Sequence, residues 1–367
     1  MPQSAPGARG LPLVGHLPLM ILDPTKFLKG LTQRYGDVAS FRLGRRPAVL
    51  INHPELINRL LRDRSCPRSD ESRRALRSFL GDGLLSLEGP RHLRHRRLMA
   101  PAFHRQRIQH YGEVMCAETY AEIAGWQAGP QRDLREDMMR LTFAIVSKAL
   151  FSTDTRDEAR DVEHALQSIL PWALLGAALG GVFPKLPVYY PRGSRAAIKR
   201  LHDVVLKIVA RRREEGEDRG DLLSMLLETR DEDGSALSDE DVCAEALTLL
   251  LAGHDTTAST LTWAWHLLSQ NPEVQDAAHE EVRRVVGERA ITPEDVPKLE
   301  LINQILSETL RLYPVVWMGD RVPDNDLELG GYHVAKGSSV FFCMYVTQRD
   351  ARFFPDPRAL RPRPLQP

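Results

Sequence analysis

The chain has 367 residues, 43% of them hydrophobic and 27% charged, a balance that excludes both a disordered segment and a bundle of membrane spans. Basic and acidic residues number 49 each, so no global charge favours nucleic acid. The length suffices for one large domain or two. Four dispersed cysteines without a C-x-x-C pair exclude a disulfide framework and a structural zinc site and fit a reducing cytosol.

The first ten residues are rich in Pro and Gly and predict a loose arm. The apolar stretch Leu11 to Leu22 contains Pro12, His16 and Pro18 and is about half the ~20 residues that a membrane span needs. It lacks a basic leader and a small-residue cleavage site, so no membrane partner is expected. Residues 38–52 predict a hairpin: two β-rich apolar runs flank Gly44, with Arg45, Arg46 and Pro47 near the turn. From His53 to about 315 the pattern is mostly helical. The segment Phe79-Leu80 to Leu84-Leu85 is apolar, as is an irregular patch over 171–193 that includes Trp172, Leu174, Leu175, Phe183, Tyr189 and Tyr190. That patch reads either as a buried loop or as a lid over an apolar pocket. Residues 211–220 predict a solvated, charged connector. Residues 327–347 return to strand character, broken at Gly330-Gly331 and Lys336-Gly337. With no internal repeat, the fold class is mainly α with a small β-sheet region built from both ends of the chain.

One helix stands apart. Ser238, with Asp241 three residues on, resembles a capping box and opens a helix to about Gln270, roughly 45–50 Å at 1.5 Å per residue. Leu247, Leu249, Leu250, Leu251, Leu261, Trp263 and Trp265 make it apolar on nearly every side, so it is expected to run through the core. Gly253-His254-Asp255-Thr256-Thr257 interrupts that pattern. Gly costs about 1 kcal/mol there, and a buried Asp needs a partner. Thr hydroxyls bond the carbonyl one turn back and bend the helix. The cluster predicts a local opening; a polar contact with a neighbouring helix is the alternative.

These residues and their order resemble the cytochrome P-450 family of haem-thiolate monooxygenases. Ala252-Gly253-His254-Asp255-Thr256-Thr257 matches the family's central-helix pattern A/G-G-x-D/E-T-T/S. Glu308-Thr309-Leu310-Arg311-Leu312-Tyr313-Pro314 matches its E-x-x-R helix, and Arg321 follows ten residues after Arg311. E-x-x-R alone is weak, because Glu71/Arg74, Glu88/Arg91, Glu280/Arg283 and Glu281/Arg284 share it. Gly89 through Phe103, with His92, Arg96, Pro101 and Phe103, resembles the helix crossing the haem's proximal face. Arg349-Asp350 and Phe354-Pro355-Asp356-Pro357 resemble the segment entering the family's meander.

The resemblance covers about Pro6 to Pro357. It implies one domain over 1–367 and a cytochrome P-450-like fold with a long central helix, incomplete at the C-terminus. It implies b-type heme, an apolar small-molecule substrate, O2, a ferredoxin- or flavodoxin-type electron donor, and a cytoplasmic enzyme that inserts one oxygen atom of O2 into its substrate. Asp255 and Thr256 would be catalytic, Thr256 holding oxygen by a hydrogen bond and Asp255 relaying protons. His92, Arg96 and Arg321 would neutralise the haem propionates, while Ala252 and Gly253 would lie against the cofactor, Gly253 permitting close approach. Glu308 and Arg311 would form a structural pair. Arg91, Arg94 and Arg97 could dock an acidic electron donor.

The family's thiolate Cys, in F-x-x-G-x-x-x-C after E-x-x-R, has no match. Only Cys343 follows Glu308; Ser339 and Lys336 stand where that loop has Gly and Phe, and the flanks Val340-Phe341-Phe342 and Met344-Tyr345-Val346 predict a buried strand. Cys343 thus reads as a small buried hydrophobe, and no residue is assigned as a metal ligand. Residues 358–367 depart from the family's F-x-P-E-R-F continuation and use only Arg, Ala, Leu, Pro and Gln. A frameshift in GC-rich DNA is the expected origin of that tail, and little or no monooxygenase activity is expected of the chain. Two other classes compete: a non-catalytic helical remnant acting as an interaction protein, and a metal-dependent phosphohydrolase using His254 and Asp255 with His92 and His95.

Overall fold

The computed structural model describes residues 3–127, 129, 131–152, 156–180 and 187–362. In chain order they form β1 (Gln3–Ser4), α1 (Leu17–Leu22), α2 (Pro24–Tyr35), β2 (Val38–Leu43), β3 (Arg46–Ile51), α3 (Pro54–Arg62) and α4 (Asp70–Leu80). Then come α5 (Gly89–Met99), α6 (Arg105–Ala124), α7 (Leu134–Phe151), α8 (Arg156–Gly180), α9 (Arg192–Glu215), α10 (Leu222–Glu228), α11 (Asp239–Ser269), α12 (Pro272–Val285) and α13 (Glu300–Leu312). The chain closes with β4 (Gly319–Arg321), β5 (Leu327–Leu329), β6 (Tyr332–Val334), β7 (Ser339–Phe342) and α14 (Met344–Thr347). It is therefore mainly helical with small sheets, and no described helix is long and apolar enough to cross a membrane.

Two compact units divide the chain. One holds Met1–Phe79, Leu170–Tyr190 and Arg311–Ala359; the other holds Leu80–Ile169, Pro191–Leu310 and Leu360–Pro367. The first unit contains both sheets, of order β2-β3-β7-β4 and β1-β6-β5. The predicted hairpin is present, Val38 opposite Ile51, and β3 runs parallel to β7 from Ala48↔Ser339 to Ile51↔Phe342. Alternation sends Phe41, Leu50 and Phe341 into one cluster and Val49, Ile51, Val340 and Phe342 into another. Buried Asn52 is satisfied from both sides: its amide donates to Asp350 at 3.1 Å, and its oxygen accepts from the Thr347 hydroxyl at 2.8 Å.

The expected loose arm is ordered, because β1 pairs with β6 and Gly7 bridges Ser40. Met344–Val346 is the start of helix α14 rather than strand: β7 ends at Phe342, and Cys343 occupies the position before the helix. Residues 171–180 belong to α8 rather than to a loop. Buried Tyr190 bonds Ser78 at 2.7 Å, while Phe183 lies outside the described residues.

In the second unit α7 packs along α11 through Met138, Met139, Leu141 and Ala258. Glu281 of α12 accepts from the N–H groups of Leu301 and Ile302 at 2.9 and 3.1 Å, satisfying donors that the start of α13 leaves open. The connector over 211–220 is not wholly solvated. Arg212 is 3% exposed, reaches Asp221 at 2.7 Å and Ser224 at 2.6 Å, and donates to the Phe151 carbonyl at 2.8 Å. Helical continuation to Glu215 puts Arg212 on the inner face with Val205 and Val209. Removing one member of a buried ion pair strands the other. Arg212→Ala should cost about 3–5 kcal/mol in urea denaturation, and Arg212→Met with Asp221→Leu should recover most of that loss.

Candidate functional site

Helix α11 begins where the sequence places it, with the Ser238 hydroxyl accepting from the Asp241 N–H at 3.1 Å. Val242 through Thr248 are buried without a gap. Beyond Leu250 only one face is covered: His254 and Ala258 stay buried, whereas Ala252 and Thr257 are exposed, as are Trp263 and Trp265. The expectation of burial all round therefore holds for the first half only. In the second half, α7 covers the Ala258 side.

The polar cluster does not break the helix. The Thr256 hydroxyl donates to the Ala252 carbonyl one turn back, the diversion expected of Thr in a helix. Asp255 is partly exposed, with no hydrogen bond or ion pair among the described residues. Gly253 faces α7, where an added Cβ would sit 3.1 Å from Val146; its missing side chain admits that helix. His254 is 1% exposed, with Nε2 3.0 Å from the Met139 carbonyl and its ring edge-on to Phe143. Only an N–H can bond a carbonyl, so that nitrogen is a donor. His254 is thereby committed to α7, and no metal-binding group of three appears among the described residues.

Helix α5 carries His92 and Arg96 and is tied to α11 by a contact the sequence reading missed. His95, between them, donates from Nδ1 to Glu245 Oε1 at 2.7 Å, and the Leu84 N–H donates to Glu245 Oε2 at 3.1 Å. His95 is 1% exposed and Glu245 0%. The signal was a lone acid in an apolar run, Ala244-Glu245-Ala246, because a buried carboxylate demands partners. Gly83 makes the close approach possible, since a Cβ there would lie 2.3 Å from the Thr248 hydroxyl and 2.7 Å from the Ala244 carbonyl. Along α5 the remaining arginines divide. Arg94 bonds Asp231 at 2.9 Å, Arg97 bonds Asp231 at 2.5 Å, and Arg91 bonds Asp82 at 2.9 Å. These three are neutralised by their own chain rather than held free for a partner. Arg96 is exposed, with no ion pair or side-chain hydrogen bond among the described residues.

The remaining positions lie on α13 and in the first unit. Arg321 on β4 donates to the Asp320 carbonyl at 2.8 Å and stands 6.0 Å from the Phe342 ring centroid. Arg311, 8% exposed, donates to the carbonyls of Gln348, Pro357 and Ala359 at 3.0, 2.9 and 3.0 Å. Its planar fork gathers three chain segments onto one cation. Glu308 accepts from the Arg361 N–H at 3.1 Å. The first residues of the 358–367 tail are thus held in place, and 363–367 lie outside the described residues.

Cys343 is 1% exposed in the sheet core, and burial pushes its thiol up to about 11. A thiol above the ambient pH is protonated and neither attacks nor ligates readily. In native protein at about pH 8, iodoacetamide should leave Cys343 unlabelled while slowly modifying half-buried Cys116, whose thiol is also raised by burial but which solvent reaches; urea should expose both. Peptide mass spectrometry reads the order.

The donor set fits a flat apolar cofactor bearing anionic groups. Arg96 is an uncommitted cation, and Ala252 and Thr256 offer an uncovered face with one small side chain. The family profile described as Cytochrome P450 matches residues 5–363. Cyclooctatin synthase of Streptomyces melanosporofaciens is 39% identical over 364 residues, covering 98% of this chain and 78% of that protein. Cyclooctat-9-en-7-ol 5-monooxygenase of the same organism is 36% identical over 367 residues, at 98% and 78% coverage. Pentalenene oxygenase of Streptomyces avermitilis is 33% identical over 355 residues, at 96% and 78%.

Proposed function

The chain belongs to the cytochrome P450 family, and from that premise we propose the residues that serve haem and oxygen in it and the substrates it takes. The family is one of haem-dependent monooxygenases, oxidoreductases that use O2, a hydrophobic substrate and a redox partner. When bound, haem supplies the iron at which oxygen is cleaved. His92 and Arg96 on α5 would hold propionates through charge-assisted hydrogen bonds, and Arg321 on β4 is assigned the same role. Ala252 gives the cofactor side of α11 its small residue. Thr256 Oγ1, which donates to the Ala252 carbonyl, would be the hydroxyl that holds oxygen, and the Asp255 carboxylate would relay protons. Glu308 and Arg311 keep the architecture around these groups. The substrate is an apolar ring compound, an alkene or its alcohol, of the kind the relatives' names denote. The donor is an acidic ferredoxin- or flavodoxin-type protein in a cytoplasmic setting, bound without recourse to Arg91, Arg94 or Arg97.

The observation that carries this reading is the exposure of Ala252, one turn before Thr256, in a helix that is buried without a gap from Val242 to Thr248. Haemin titration of the purified chain tests it. Arg96→Leu should weaken haemin binding about tenfold by removing a charged hydrogen bond, and Ala252→Phe should weaken it by blocking the face. Unchanged affinity in both variants overturns the assignment.

Cys343 is protonated in the sheet core and the other cysteines precede α13, so the 367 residues as they stand are proposed to have little or no monooxygenase activity. The reduced, carbon-monoxide-bound spectrum should lack the strongly red-shifted Soret band of thiolate ligation, and its appearance would prove that proposal wrong.

A further inference from the structure

Arg349-Asp350 lies in the segment that resembles the family's entry to the meander, and the haem and oxygen chemistry leaves it without a role. Asp350 is settled by its neighbours. Arg352 pairs with it at 2.7 Å and with Asp37 at 2.6 Å, and the Asn52 amide adds a bond at 3.1 Å. Arg349 is not settled. It is half-buried and has no ion pair among the described residues. Its side chain makes one long hydrogen bond there, to the Tyr345 carbonyl at 3.5 Å. A guanidinium carries five N–H donors, so most of these have no acceptor.

The surroundings of Arg349 are aromatic and cationic. Its guanidinium carbon lies 3.8 Å from the centroid of the Tyr345 ring and 5.4 Å from that of Tyr313. Such contacts hold a cation in place without giving its N–H groups an acceptor. Burial lowers the guanidinium below its usual pKa, and Arg311 and Arg358, of the same sign, act in the same direction. Arg311 is committed to three backbone carbonyls. Arg358 is exposed, with no hydrogen bond or ion pair among the described residues. A half-buried cation beside like charges, with no counter-ion, is unfavourable until an anion joins it. A lone carboxylate matches one guanidinium. A phosphate group carries nearly two negative charges and three acceptor oxygens, which matches two guanidinium groups, one rigidly placed and one reaching from the surface.

We propose that Arg349 and Arg358, beside Tyr313 and Tyr345, form a binding site for a phosphate group, either the free ion or a small phosphomonoester. None of these residues is assigned to haem or oxygen, so either reading can fail while the other stands. An anion held between Arg349 and Arg358 joins the end of α14 to the segment that follows it, and by linkage it stabilises the folded chain.

Isothermal titration calorimetry of the full chain with inorganic phosphate tests the proposal, with glycerol 3-phosphate and acetate as parallel titrants at equal ionic strength. Phosphate should bind saturably, and acetate should bind at least about tenfold more weakly. Arg349→Gln should weaken phosphate binding by about tenfold or more. Arg349→Lys should weaken it less, because the charge remains without the planar fork. Arg358→Gln, at an exposed position, should cost about threefold, and Arg45→Gln on the β2–β3 turn should change nothing. A second measurement needs no variant and so does not depend on Arg349→Gln folding. Phenylglyoxal, which modifies arginine, should label Arg349, and phosphate but not chloride should protect it, as peptide mass spectrometry reads. Tighter binding of glycerol 3-phosphate supports an ester as the ligand, and tighter binding of inorganic phosphate supports the free ion. Absence of saturable phosphate binding overturns the proposal. Equal affinity in parent and Arg349→Gln, acetate binding as tight as phosphate, or no phosphate protection of Arg349 also overturns it.

Discussion

A carboxyl group with no solvent contact, that of Glu245, sits in the most deeply buried part of α11 and joins that helix to α5 and the segment leading into it. A buried carboxyl group needs hydrogen-bond partners. Its two oxygens take one bond from His95 and one from the Leu84 backbone. Those two bonds fix α5 and the segment leading into it against α11. Thus the helix bearing His92 and Arg96 is held to the helix bearing Asp255 and Thr256 by a group that is itself neither exposed nor reactive. Gly83 belongs to the same solution, because any side chain there would separate the surfaces that Glu245 joins.

The elements of the molecule were largely written in local pattern. Alternation marked the hairpin over 38–52, and Ser238 followed by an apolar run marked the start of α11. What sequence pattern misplaced were boundaries where periodicity alone cannot choose. Met344–Val346 is apolar in either state, and the end of the β3–β7 pairing at Phe342 turns it into helix. Arg212 looked like one charge among many in 211–220; its inward direction follows from how far α9 continues.

The site was legible as residue types and less so as directions. Asp255 and Thr256 could be named from the break in an apolar helix, and Thr256 makes the backbone bond expected of it. Gly253 and His254, adjacent in the same motif, turn toward α7 instead. Successive residues on a helix point about 100° apart, so one short motif serves packing and chemistry at once. The arginines of α5 teach the same lesson. A basic run predicts a charged face, but only the folded chain shows that Asp82 and Asp231 neutralise most of it and leave Arg96 uncommitted.

The parallel pairing of β3 with β7 joins strands from opposite ends of the chain, Ile51 beside Phe342. Such a contact closes a loop of nearly the full length before it returns any energy. During synthesis the early hairpin must therefore wait, one edge unpaired, while almost all the helices emerge. An open edge is a template for stray strands. Slow maturation, with an edge open to stray pairing on rapid refolding, is what this topology predicts.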